Sequence, residues 1–217
     1  MTTIFLIRHG ETEWNRSGRW QGHADIPLSE DGRTQAQALA RRLRQEGVAF
    51  DHVYASDLSR AFETAQVIGE ALGMPVQPFP ALREIHVGSW SGLTRAEIIE
   101  LFPGAFTSFF YSPDGEAQES FTCRVGEGLL HLAQRHPGER LAIVTHGGTI
   151  RAMLRYLADL QGLPEPPAAH IGNTSITEIR FDGAAWHIAR FNDIAHLEGD
   201  QAPDMLAPEN ESTVVSS

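Results

Sequence analysis

At 217 residues with 41% hydrophobic side chains, the chain is long enough to bury a substantial core and falls within the size of a single globular domain. Its 17 basic and 28 acidic residues leave a formal charge of -11, which excludes a broad electrostatic attraction to nucleic acid or to an anionic membrane. Every basic residue is an arginine, so mechanisms that need a Schiff-base or P-loop lysine are excluded, and the lone Cys123 excludes an intrachain disulfide.

The first element, Thr3 to Arg8, is a short continuous apolar run interrupted at once by His9-Gly10, the pattern of a buried strand. Its apolar part, Ile4 to Ile7, is too short for a signal sequence or a membrane span, and a cytoplasmic address is expected. A loop carrying Gly18, Gly22 and Pro27 leads to Ser29, a helix N-cap residue. Ala36, Leu39, Ala40 and Leu43 then recur on one helical face that stops near Gly47. The same order returns with a strand at His52 to Ala55 and a helix at Leu58 to Leu72, striped by Ala61, Ala65, Ile68 and Leu72. A third copy has a strand at Leu141 to Thr145, a turn at His146-Gly147-Gly148 and a helix at Thr149 to Leu160. Three such units predict an α/β fold, a three-layer sandwich whose mostly parallel sheet is flanked by helices.

Helices over Thr94 to Leu101 and about Glu119 to His136 flank a phenylalanine-rich stretch from Phe102 to Phe121, so about 92–136 is predicted as a small helical cap. Its aromatic residues are core-type side chains by default, and Phe106, Phe109, Phe110 and Tyr111 are candidates for shaping specificity. Near the end, Thr174 to Phe181 and Trp186 to Phe191 bracket Asp182-Gly183, a hairpin signal. From Glu198 onward the tail has five acids, two prolines and no base, so a domain over 1–197 and a disordered acidic tail over 198–217 are expected.

His9, Arg60 and His146 each fall at or just beyond the carboxyl end of a predicted strand, the edge of an open α/β sheet where ligands bind. Arginine forks match phosphate oxygens bidentately, and a helix N-terminus adds oriented N–H groups, so the combination suits a dianion. Arg60 points the same way, since a cation at a helix start is unfavourable without an anion. Gly10 and Gly147-Gly148, after the two histidines, are expected to let backbone approach a bound group closely.

Five ordered blocks carry a resemblance: Arg8-His9-Gly10-Glu11-Thr12 with Asn15; Gly22 before Pro27-Leu28-Ser29; Ser56-Asp57-Leu58-Ser59-Arg60-Ala61 leading to Thr64-Ala65; Leu82-Arg83-Glu84 leading to Gly88-Ser89-Trp90; and Thr145-His146-Gly147-Gly148. Over roughly residues 3 to 195 the chain resembles the histidine phosphatase superfamily, in particular its phosphoglycerate-mutase-like branch. The resemblance implies the strand order and an antiparallel sheet edge. It further implies His9 as phosphoryl acceptor, Arg8, Arg60 and His146 as phosphate clamp, and Glu84 as general acid. Thr12, Asn15, Gln21, Gly22 and Gly147 would complete the cradle. Chemically, a neutral imidazole that attacks phosphorus with one ring nitrogen needs an acceptor for the other, and a backbone carbonyl near Gly10 is expected there. A dianion beside a carboxyl favours its protonated form, so one acid can serve both half-reactions.

Glu84 has competitors in Glu11 and Glu116, or it is a surface partner of Arg83, while His23 and His86 are expected as ordinary loop histidines near the rim. Ten histidines show neither a His-x-His nor a His-Glu-x-x-His spacing, so no metal and no cofactor are expected. The reaction expected is hydrolysis of a small phosphorylated metabolite by a monomer or homodimer. Two alternatives compete: a cofactor-dependent phosphoglycerate mutase and a non-catalytic module that binds phosphorylated ligands. The mutases of the family carry a longer insertion after the acid block, an Arg-His-Tyr-Gly sequence and lysine contacts, whereas this chain has Ile85-His86-Val87-Gly88 and no lysine. A binding module would lack a catalytic block, and none is missing.

Overall fold

The computed structural model describes residues 1–108, 111–164 and 170–197. The acidic tail, Phe109 and Phe110 lie outside the described residues. In chain order the elements are β1 (Thr2–Arg8), α1 (Glu13–Arg16), α2 (Glu30–Gln45), β2 (His52–Ala55), α3 (Ser59–Leu72), β3 (Val76–Pro78), α4 (Arg95–Leu101), α5 (Gln118–Arg135), β4 (Arg140–Thr145), α6 (Gly147–Leu160), β5 (Ile176–Phe181) and β6 (Trp186–Asp193). They build one six-stranded sheet in the order β3-β2-β4-β1-β5-β6. The first four of these are parallel, and β5 and β6 run antiparallel at one side.

Strand alternation sorts the core onto two faces. Ile4, Leu6, Tyr54, Leu141 and Ile143 face α5 and α6, while Phe5, Ile7, Val53, Ala55, Ala142 and Val144 face α2 and α3. Both sides of the central strands are therefore buried, which is why they read as continuous apolar runs in the sequence. Full burial of each such aliphatic side chain stabilises by about 1.5–3 kcal/mol. Ser29 caps α2 by accepting from Gly32 N, and Thr94 with Glu97 forms a capping box on α4. No described helix is long and apolar enough to cross a membrane.

Two elements carry no signal in the sequence and one strand starts late, each for a local reason. The short edge strand β3 has three residues ending in proline and carries no periodicity. The single-turn helix α1 is held by a reciprocal cap between Thr12 and Asn15. The strand expected from Thr174 starts at Ile176 because Thr174 adopts φ +54 and turns its N–H to the His9 carbonyl. Within the stretch expected as a cap, α5 lies in the layer with α6 through Val125, Leu129 and Leu132. Ile98 and Ala105 join the same cluster around the fully buried Trp90. There Phe102 and Phe106 pack partly buried, and Arg95 sits 4.6 Å over the Phe106 ring.

Candidate functional site

The carboxyl ends of β1, β2 and β4 bring His9, Ser56 and His146 to one crevice. The His9 and His146 rings approach with centroids 5.2 Å apart, and Arg8, His9, Arg60 and His146 are all almost fully buried. His9 is fixed by its surroundings. Its Nδ1 donates to the Gly10 carbonyl at 2.7 Å, since a carbonyl can only accept, and this leaves Nε2 with the lone pair. The Gly10 N–H in turn donates to Thr64 Oγ1, whose hydroxyl donates to the Arg60 carbonyl. Asn173 Nδ2 and Thr174 N both donate to the His9 carbonyl.

Burial pushes the His9 imidazole well below its ordinary pKa, and the charges of Arg60 and Arg8 add to that, against a smaller opposing effect of the Gly10 carbonyl. His146 is lowered in the same way, by burial first and then by Arg60. Its Nε2 lies 2.9 Å from Ser56 Oγ, while its buried Nδ1 has no partner among the described residues. If the Ser56 hydroxyl donates to Nε2, Nδ1 carries the proton and is available to an anion. The Arg60 guanidinium donates to the carbonyls of Ala24 and Gly22, each at 2.8 Å, and its buried Nε also has no partner. Burial pushes its pKa down to about 10, with Glu84 and Asp25 opposing and Arg8 adding to the shift. Arg8 NH1 donates to the Ile171 carbonyl. Two guanidinium groups and two neutral imidazoles thus gather in a buried crevice, with the Glu84 and Asp25 carboxyls near Arg60.

Glu84 stands at the mouth of α6, where its Oε2 accepts from Gly148 N and its Oε1 from Ile85 N, both at 2.9 Å. A Cβ at Gly148 would lie 2.4 Å from Glu84 Oε1, so any side chain there would push the carboxyl end of Glu84 aside. At Gly10, too, the close neighbour is protein, since a Cβ would lie 2.4 Å from the Gly32 carbonyl oxygen. The Glu84 segment is anchored by three side chains that no sequence signal marks for that task. Thr145 Oγ1 donates to Leu82 O, Thr149 Oγ1 to Arg83 O, and Arg124 to the carbonyls of Ala81, Arg83 and Glu84. Of the competing acids, Glu116 is gripped by Arg124 and Glu11 by Arg16. Arg83 pairs with Asp57.

Thr12 Oγ1 accepts from Asn15 N and donates to Asn15 Oδ1. Gln21 is buried, and Gly22 takes φ +50 and offers its carbonyl to Arg60. Gly147 opens α6 beside Arg8. His23 Nε2 contacts the Glu84 carbonyl, and the His23 and His86 rings meet edge to face. Ser56 and Thr64 sit inside the block that leads from β2 into α3, and this was the available signal for them.

Fold and crevice define a mixed α/β sheet protein with two guanidinium groups and two imidazoles gathered at the carboxyl edge of its parallel strands. The chain belongs to the histidine phosphatase superfamily, branch 1, whose family model matches residues 4–194. It is similar to phosphoglycerate mutase-like protein 4 of Arabidopsis thaliana, at 39% identity over 90% of this chain and 86% of the relative. It is likewise similar to the metal-independent phosphoserine phosphatase of the same plant, at 38% identity over 91% and 84%. Among solved structures, Bacillus stearothermophilus YhfR superposes with a TM-score of 0.80 at 37% identity, covering 91% of this chain and all of the other.

Proposed function

We propose that this enzyme hydrolyses small phosphomonoesters through a covalent phosphohistidine on His9. The single observation that carries the reading is the His9 ring, whose Nδ1 is tied to the Gly10 carbonyl and whose other nitrogen stays unprotonated under two guanidinium groups. The lone pair of His9 Nε2 attacks phosphorus while the bond to the leaving oxygen breaks. Arg8, Arg60 and His146, the last through its Nδ1–H, neutralise the oxygens as charge spreads over the loose transition state. Asn15, Gln21, Gly22 and Gly147 line the same cradle, with Thr12 holding Asn15. Glu84 gives its proton to the departing alkoxide, then takes one from the water that attacks the phosphohistidine. His9 leaves as a neutral imidazole, and phosphate is released.

Phosphorylated amino acids and phosphoglycerate-type acids are the substrate class that the relatives' names support. The mutase reading differs only in whether water reaches the phosphohistidine. A phosphatase screen over a metabolite panel, run beside a coupled assay with 3-phosphoglycerate, separates the two. Phosphate release from a small monoester is expected, and isomerisation with little release from any monoester would overturn hydrolysis.

A further inference from the structure

His52, His136 and Glu139 lie at the opposite edge of the sheet from the crevice, and the mechanism uses none of them. His52 opens β2, His136 follows α5, and Glu139 precedes β4. A turn closed by Glu139 N donating to the His136 carbonyl brings the latter two together. The parallel register sets His52 opposite Leu141, so both imidazoles reach the same carboxylate. His136 Nδ1 is 2.8 Å and His52 Nε2 3.1 Å from Glu139 Oε2, and the three groups' ligand atoms all lie within 4.8 Å of one another.

We propose that these three side chains form a binding site for a divalent transition-metal ion of the zinc class. Two imidazole nitrogens and one carboxylate oxygen are a donor set that suits zinc, and they converge from three segments. Ligand bonds of about 2.0–2.2 Å in a tetrahedron separate donor atoms by roughly 3.3 Å, so the two short contacts need open by only a few tenths of an ångström. The site also has outer partners on both rings. The Tyr54 hydroxyl lies 2.9 Å from His136 Nε2, and the Gln77 amide lies 3.5 Å from His52 Nδ1. The Tyr54 hydroxyl can donate or accept, whereas the Gln77 Nε2 that faces His52 Nδ1 can only donate, and the amide must turn its oxygen to the ring when Nδ1 carries the proton. They serve the rings in the metal-free state and also when each metal-facing nitrogen gives up its proton and the far nitrogen becomes the donor. Half-exposed His52 and Glu139 beside a buried His136 leave a face open for a solvent ligand and for exchange. The ion would tie the starts of β2 and β4 to the end of α5. Its place is remote from His9, since the strands between span roughly 3.3 Å per residue.

The test uses the full chain, free of tags and stripped with a chelator that is then removed. It is titrated calorimetrically with Zn2+ and separately with Mg2+, melted with and without Zn2+, and loaded with Co2+ for its absorption spectrum. One Zn2+ per chain, no Mg2+ uptake, a rise in Tm and a tetrahedral Co2+ spectrum are expected. His52→Ala and Glu139→Gln, both on partly exposed side chains, are expected to weaken Zn2+ binding by about 10–100-fold or more. Both variants are expected to keep the phosphatase activity of the metal-free parent. Absence of stoichiometric Zn2+ binding, or binding that survives unchanged in both variants, would overturn the proposal.

Discussion

At the carboxyl edge of the sheet, His9 and His146 face Arg8 and Arg60, with burial and like charge holding both rings neutral. At the amino edge, His52 and His136 converge on the carboxylate of Glu139, in contact with the Tyr54 hydroxyl and the Gln77 amide. One edge gathers buried donors, the chemistry proposed to hold an anion, and the other gathers ring nitrogens and a carboxylate oxygen, the chemistry proposed to hold a cation. The identity of a histidine's neighbours, and which ring nitrogen they occupy, decides what the ring can do.

Several substitutions break or sharpen this contrast. The largest effect short of removing His9 is expected for Glu84→Gln, which keeps an acceptor for Gly148 N, loses the one for Ile85 N and loses the transferable proton. It should lower kcat on an alkyl phosphate by about 10²–10⁴-fold. An ester with a good leaving group, such as p-nitrophenyl phosphate, should lose much less in the first step, and equal losses on both would contradict the acid role. Next, Arg60→Ala should cost about 10²–10³-fold in kcat/KM. It should also abolish the thermal stabilisation by inorganic phosphate that is expected of the parent, because the anion then lacks the Arg60 guanidinium. Gly148→Ala tests geometry without deleting any functional group. Its Cβ would occupy space within 2.4 Å of Glu84 Oε1, and a fall in kcat with folding retained by circular dichroism is expected, again greater for alkyl esters.

The smallest effect concerns pH. Since His9 is lowered well below its ordinary value, the acid limb of kcat/KM should lie well below the usual imidazole range near pH 6.5. Stability follows the same sign. Both buried rings stay neutral when folded and regain ordinary proton affinity when unfolded, so the unfolded chain binds more protons as pH falls. Their stabilising contribution is present above about pH 6.5 and declines below it. Melts of the ligand-free protein across that window check it, and a Tm that rises on acidification would contradict it.

The sequence reveals elements where its signals agree. β1, β2 and β4 are apolar because both their faces are buried, and α2 announces itself through the Ser29 cap and an apolar stripe. β3 stays hidden because three residues ending in proline set no period. The start of β5 is masked by β-prone residues whose backbone is diverted to hold the His9 carbonyl. In the site, His9, Arg8, Arg60 and His146 stand out by position, at strand ends and helix starts. Thr64, Asn173, Thr149 and Arg124 do not, because their work is to fix backbone carbonyls and amides from other segments. His52 meets the local His136–Glu139 pair only through the register of β2 with β4, which no local spacing encodes.

The covalent step is tested most directly by trapping it. The protein is mixed with a radiolabelled phosphomonoester, quenched in base and mapped by peptide mass spectrometry. A base-stable, acid-labile label on His9, absent together with turnover in His9→Ala, is the predicted result. Label on another residue, or turnover that persists in His9→Ala, would contradict the account.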